Sequence, residues 1–150
     1  MMGKRTAASQ PLWGIDMGGT KMEGVVLKSI REPEVLVRTR VPTEADQGYE
    51  HIIDQVRKLV GIMREETGLE PANIGIGTPG IYDPKRGSMK NCNTVCMNGK
   101  PMRDDLQKAL KIPVTLANDA DCFALAETQL GVVKQEFPSA RVVFGVIMGT

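Results

Sequence analysis

The apolar residues of this chain change their period at Asp46, and that change limits the fold more than any other feature. Ahead of it lie three short runs, Leu12-Trp13-Gly14-Ile15-Asp16-Met17, Gly24-Val25-Val26-Leu27 and Val35-Leu36-Val37. Gly18-Gly19 breaks the first, and Arg31-Glu32-Pro33 turns between the second and third. Short runs with tight breaks predict an antiparallel three-strand meander. From Asp46 to Thr67, the residues Tyr49, Ile52, Ile53, Val56, Leu59, Val60 and Met63 recur at three- and four-residue steps, as one apolar helix face does. Gly68 stands where a C-cap glycine belongs. Beyond the helix the two periods alternate. Ile74-Gly75-Ile76-Gly77 predicts a buried strand closed by Pro79-Gly80, and residues 81–100, rich in Gly, Asn, Pro and Lys, predict a long functional loop. Asp104 to Leu110 predicts a short helix before Pro113, and Val114-Thr115-Leu116 a brief strand. Asn118-Asp119 opens a helix through Leu130 that Gly131 ends, and Arg141 to Met148 predicts a last strand. A meander followed by alternating helices and strands predicts an α/β fold, a mixed sheet with helices on its faces.

Composition narrows the functional classes. The chain has 150 residues, 41% of them apolar, enough for one ordinary domain with its own core. A net charge of +1 with no long like-charged block argues against a dedicated polyanion binder, so nucleic acid is not an expected partner. Three cysteines form an odd set, which argues against a disulfide framework. Met1–Gln10 carries Lys4 and Arg5 with no apolar segment after them, and Val142–Met148 is too short to span a bilayer. The expected class is a soluble cytoplasmic protein that does not enter membranes.

Three constellations could carry chemistry. In Gly14-Ile15-Asp16-Met17-Gly18-Gly19-Thr20-Lys21, a strand runs into a turn. Two adjacent residues without Cβ let backbone N–H groups approach a phosphate closely. Thr20 adds a hydroxyl, Lys21 a cation, and the Asp16 carboxylate could hold Mg²⁺ directly or through water. A plain β-hairpin whose glycines only satisfy turn geometry accounts for the same residues. No G-x-x-x-x-G-K-[ST] occurs, so this is not a Walker A loop. Gly75-x-Gly77-x-x-Gly80 formally matches the dinucleotide fingerprint, but Pro79 and Pro84 prevent a regular helix from opening after it. A glycine-walled loop against a small ligand and a simple strand-end turn both fit it. Leu116-Ala117-Asn118-Asp119-Ala120 places a donor–acceptor amide and a potential proton acceptor where a strand ends and a helix begins. Helix capping by Asn or Asp explains it equally. Cys92, Cys96 and Cys122 with the single His51 give poor support to zinc and read as ordinary thiols, His51 as a surface or boundary residue, Trp13 as packing, and Asp83, Lys85, Arg86 and Lys90 as a solvated loop.

The order of these motifs resembles the ROK family of sugar kinases and related repressors, within the actin-like, ribonuclease H-like ATPase superfamily. The matching pieces are Gly14 to Lys21, Gly75 to Gly80, Asn93 with Asn98-Gly99-Lys100-Pro101, and Leu116 to Ala120 with Glu127. Asn91–Leu106 followed by Ala117–Glu127 looks most like bacterial fructokinases of the family, with N-acetylglucosamine kinases next. The resemblance implies that residues 1–11 form a tail and 12–150 the N-terminal lobe of a kinase about twice as long. It implies ATP and Mg²⁺ as cofactors, with Gly14, Asp16, Gly18, Gly19, Thr20 and Lys21 binding nucleotide and Asp16 meeting the metal. Pro79, Gly80, Asn93, Asn118 and Asp119 would bind a hexose, and Asp119 would be the catalytic base.

Family kinases continue past a Gly-Thr-Gly second phosphate loop, whereas this sequence stops at Gly149-Thr150. The family's zinc-binding Cys-x-Cys-Gly region has no counterpart here, so a structural zinc is expected only in a further C-terminal part. The resemblance also implies a homodimer for the full-length protein. Two rivals stand beside the kinase. One is a sugar-responsive ROK-type regulator without kinase activity, for which the residues before the first strand leave no room for a helix-turn-helix. The other is a nicotinamide oxidoreductase resting on Gly75–Gly80.

Overall fold

The computed structural model describes residues 10–145. Three strands come first: β1 (Leu12–Met17), β2 (Lys21–Leu27) and β3 (Val35–Pro42). A 3₁₀ turn at Ala45–Gln47 leads into α1 (Tyr49–Thr67), then β4 (Ile74–Thr78), β5 (Ile81–Asp83) and β6 (Ser88–Lys90). A second 3₁₀ turn at Val95–Met97 precedes α2 (Met102–Leu110), β7 (Val114–Asn118), α3 (Asp119–Gln129) and α4 (Val132–Glu136). The main sheet has five strands in the order β3-β2-β1-β4-β7. β1, β2 and β3 pair antiparallel, as the meander requires, whereas β1–β4 and β4–β7 are parallel.

Alternation in β1 sends Trp13, Ile15 and Met17 into the core and leaves Leu12 and Asp16 on the other face. α1 covers the first face. It begins at Gly48 without a side-chain cap, so its stability rests on the seven apolar side chains read from its period, all buried. Each full burial contributes about 1.5–3 kcal/mol, well above the ~1 kcal/mol of a missing cap. Gly68 ends the helix at φ 65°, the left-handed cap expected of it. Met102, Leu106 and Leu110 of α2 join the same core. α3 lies on the opposite face, where a Cβ on Gly77 would come within 3.6 Å of Cys122 Sγ. It packs against β4 and β7, and none of its residues is buried.

Two expectations are corrected. Residues 81–100 are not a continuous loop, because β5 and β6 form a hairpin inside them. The Asp83 carboxylate accepts from the Lys85 and Arg86 amides at 3.0 and 3.3 Å, and Gly87 takes φ 66°, so the polar residues mark one tight turn. Gly131 follows the end of α3 at Leu130 as expected, and a short further helix, α4, begins after it. Of the expected strand Arg141–Met148, residues 141–145 form none, with Val142 and Phe144 both 88% exposed, and residues 146–148 lie outside the described residues, as do Gly149 and Thr150. Among the described residues no helix is long and apolar enough to cross a membrane.

Candidate functional site

Because β1, β4 and β7 are parallel, they end together, at Met17, Thr78 and Asn118. Open α/β sheets bind ligands beyond this carboxyl edge. The sheet topology therefore brings the Gly18–Lys21 turn, Pro79-Gly80 and Asn118-Asp119 to one place, although they are spread over a hundred residues of sequence.

The turn is built by backbone and braced from below. Gly18 N donates to the Lys21 carbonyl at 3.0 Å. Neither Gly18 nor Gly19 has a left-handed φ, so this is not the primed hairpin turn that demands glycine. A Cβ on Gly18 would fall 2.8 Å from the Lys21 carbonyl oxygen, which explains that glycine sterically. A Cβ on Gly19 would meet only Thr94 Oγ1, at an ordinary 3.6 Å. Packing within the described residues thus does not call for glycine at position 19, and its backbone is left bare. Thr43, 1% exposed, donates through Oγ1 to the Gly18 carbonyl at 2.7 Å and through its amide to the Thr20 carbonyl at 2.9 Å. No signal in the sequence singles out Thr43. Only the β2–β3 register, which sets Lys21 opposite Pro42, carries it beneath the turn.

An open groove of about 430 Å³ runs from this turn along the outer sheet face, lined by Asp16, Gly18, Gly19, Thr20, Lys21, Glu23, Arg38 and Arg40. Gly14 does not reach it: it sits inside β1, paired with Val25 and Gly75, with its backbone committed to the sheet. Partial burial, then the Asp119 carboxylate, then Glu23, push the Asp16 carboxyl above its ordinary value of 3.8. The Asp16 carboxylate thus senses that of Asp119 across the sheet edge, and it is the residue beside the turn that could hold Mg²⁺. Among the described residues no three His, Cys, Asp or Glu side chains converge on a metal position, so most of its ligands would be phosphate and water oxygens, as is usual for Mg²⁺.

Around the second motif the structure separates function from packing. Gly75 and Gly77 lie within β4, and a strand rather than a helix follows Gly80. The helix N-terminus that a dinucleotide fingerprint needs is missing at that point. A Cβ on Gly80 would fall 2.9 Å from both Cys92 Cα and the Lys90 carbonyl, so the hairpin's own packing requires that glycine. Thr78, fully buried, places its hydroxyl 3.1 Å from the Gly80 carbonyl and 3.2 Å from that of Ala117, tying the ends of β4 and β7. Asn93 reaches the edge by donating its backbone N–H to the Pro79 carbonyl at 3.4 Å. Asn98 holds that loop, accepting from the Cys92 amide at 2.9 Å and donating to the Cys92 carbonyl at 3.1 Å.

Asn118 caps α3 and stands at the sheet edge. Its Oδ1 accepts from the Ala120 amide at 3.1 Å, and its Nδ2 donates to the Gly80 carbonyl at 3.4 Å. Asp119 Oδ1 also accepts from the Ala120 amide, at 2.8 Å, and Asp119 sits on the first turn of α3. That fixes one carboxylate oxygen. His51 is a boundary residue on α1 with Nε2 2.7 Å from Glu44 Oε2, and Trp13 is core, 4% exposed. Cys92, Cys96 and Cys122 are free thiols.

Known proteins are similar to this chain in sequence and in fold. An N-acetyl-D-glucosamine kinase of Vibrio parahaemolyticus is 36% identical over 139 residues, 92% of this chain and 43% of that protein. The chain thus spans less than half the length of this relative. The ROK hexokinase of Thermus thermophilus superposes with a TM-score of 0.70 at 32% identity, over 83% of this chain and 39% of that one. A ROK family glucokinase from Streptomyces griseus, solved with glucose and AMPPNP, superposes with a TM-score of 0.71 at 27% identity, over 81% and 37%. These likenesses bear out the expected α/β fold of the actin-like ATPase sugar kinases. The ROK family itself matches residues 12–150, nearly the whole chain, and the chain belongs to that family.

Proposed function

We propose that the full-length protein transfers the γ-phosphoryl group of ATP to a hexose hydroxyl, and that this chain supplies the lobe carrying the base and the first phosphate turn. The observation that supports this most is Gly19: a backbone left bare by the protein, beside Asp16 and on the same sheet edge as Asp119. Amides of Gly18 to Thr20 and the Lys21 ammonium would meet the phosphates. Asp16 would hold Mg²⁺, which when bound neutralises charge on the phosphate oxygens.

Pro79, Gly80, Asn93 and Asn118 would form this lobe's share of the hexose site. Asp119 would orient the attacking hydroxyl and accept its proton. Phosphoryl transfer through a loose transition state asks little of the base, because the proton can leave late. Oδ1 is held by the Ala120 amide, which leaves Oδ2 for the sugar. Positioning and charge neutralisation would then supply most of the rate.

Fructose is the favoured acceptor, on the likeness of residues 91–106 and 117–127 to bacterial fructokinases; glucose, mannose and N-acetylhexosamines follow. The working protein is read as a cytoplasmic homodimer. An ATP-coupled assay of the complete protein over these hexoses tests the proposal. Asp119→Asn should lower kcat by about 10²–10⁴ with little change in nucleotide affinity. An unchanged kcat would remove Asp119 from the role of base. Hexose binding without any transfer would favour the sugar-responsive regulator instead.

A further inference from the structure

The groove beside the phosphate turn holds more cationic charge than its carboxylates balance. Lys21 and Glu23 are two apart on β2 and share its outer face. The sheet register then sets Asp16, Glu23 and Arg40 in one row, with Arg38 two residues along β3 on the same face. Glu23 serves both arginines: Oε1 accepts from Arg38 Nε at 2.5 Å, and Oε2 pairs with Arg40 Nε. One carboxylate therefore holds two guanidinium groups side by side, and the third cation, Lys21, lines the same groove.

Stability does not account for this arrangement. The arginine side chains are 61% and 52% exposed, and ion pairs so open to water contribute about 0–1 kcal/mol. Two like charges gathered over one anion also repel each other unless a second anion enters. The bare Gly19 amide and the Gly18–Lys21 turn stand at the end of that groove, so an anion chain anchored on the turn can reach the arginines without any change in the sheet.

We infer that Arg38 and Arg40 are phosphate-contacting residues that extend the binding site of the turn along β3, held in readiness by Glu23. Their ligand is the polyphosphate chain of the phosphoryl donor. This rests on the kinase reading for its biological donor but not for the anion site itself. Arginine suits the task, because its planar fork meets phosphate oxygens with two parallel hydrogen bonds. Glu23 is a positioning residue: freed of it, the two guanidiniums would separate.

Two measurements on the complete protein test the inference: donor KM in the ATP-coupled hexose assay, and tripolyphosphate affinity by calorimetry. Arg38→Gln and Arg40→Gln should each raise donor KM and weaken tripolyphosphate binding about tenfold, the loss of one charge-assisted hydrogen bond. Hexose KM and Tm should stay as in the wild type, and Arg40→Lys should recover part of the loss. Unchanged donor KM and tripolyphosphate affinity in the double variant overturn the inference while leaving the kinase reading intact. Failure of the wild type to bind tripolyphosphate overturns it as well. Arginine-dependent tripolyphosphate binding with no transfer to any hexose would instead sink the kinase reading and uphold the anion site. A fall in Tm with unchanged binding would show two cross-strand ion pairs and nothing more.

Discussion

Replacing Thr43 by valine tests whether the Gly18–Lys21 turn is held from beneath. Valine matches the shape of threonine and keeps the amide that donates to Thr20, so it removes only the Oγ1 donor at 2.7 Å from the Gly18 carbonyl. Thr43 is 1% exposed, so water does not readily replace that donor. Removing one partner of a buried hydrogen bond costs about 1–3 kcal/mol, because the carbonyl left behind loses its solvation as well as its bond. With an unfolding entropy of about 2.1 cal/mol/K per residue, a chain of this size should lose about 3–9 °C in Tm. Thermal unfolding followed by circular dichroism measures this directly. Thr43→Ser retains the hydroxyl and should lose much less. Amide exchange at Gly18 should also accelerate in the valine variant, since its bond to Lys21 closes the same turn. An unchanged Tm, or a serine variant as damaged as the valine one, would refute the reasoning.

The two glycine motifs should separate under alanine substitution. Gly80→Ala forces a Cβ to within 2.9 Å of backbone at Cys92 and Lys90 and should destabilise by about 1–3 kcal/mol in denaturant titration. Gly19→Ala has room at 3.6 Å and should stay within about 0.5 kcal/mol of wild type while weakening donor binding in the complete protein; a large stability loss would assign Gly19 to packing. Asp16 titrates above its ordinary 3.8 in the fold, so its charged form lowers stability as pH rises through the folded value, and below 3.8 the penalty vanishes. Asp16→Asn should therefore raise Tm at neutral pH, with the gain disappearing near pH 3; a gain that persists at that pH would show a different cause.

The elements were legible wherever burial imposed a period. The apolar face of α1, its glycine stop, the meander and the short strands β4 and β7 all follow from residues that must leave water. What misled was polar structure. The hairpin of β5 and β6 was hidden because Asn, Gly and Lys mark both loops and tight turns, and only pairing of Ile81–Asp83 with Ser88–Lys90 decides between them. The outer halves of β2 and β3 were missed for a related reason: Lys21, Glu23, Arg38 and Arg40 alternate with buried residues, and charge on an exposed sheet face carries no burial signal. Arg141–Gly145 erred in the other direction: β-forming residues express only a propensity, and among the described residues this stretch pairs with no strand.

The sequence by itself determined which residues could carry chemistry: Asp16 with Gly18-Gly19, Pro79-Gly80 and Asn118-Asp119, each a short local pattern with its own physical use. It left open, for each, whether turn, packing or ligand was the reason. Tertiary structure separated the packing reasons from the rest. Steric contact explains Gly18 and Gly80 but not Gly19, and Asn118 proves to cap α3 while still standing at the sheet edge. It also brought the three patterns to one edge of the sheet. Parallel pairing of β1, β4 and β7 aligns strand ends that are distant in sequence, and cross-strand register places Thr43, Arg38 and Arg40 beside them. Register is a relation between strands, fixed by long-range packing, so no local stretch of residues contains it.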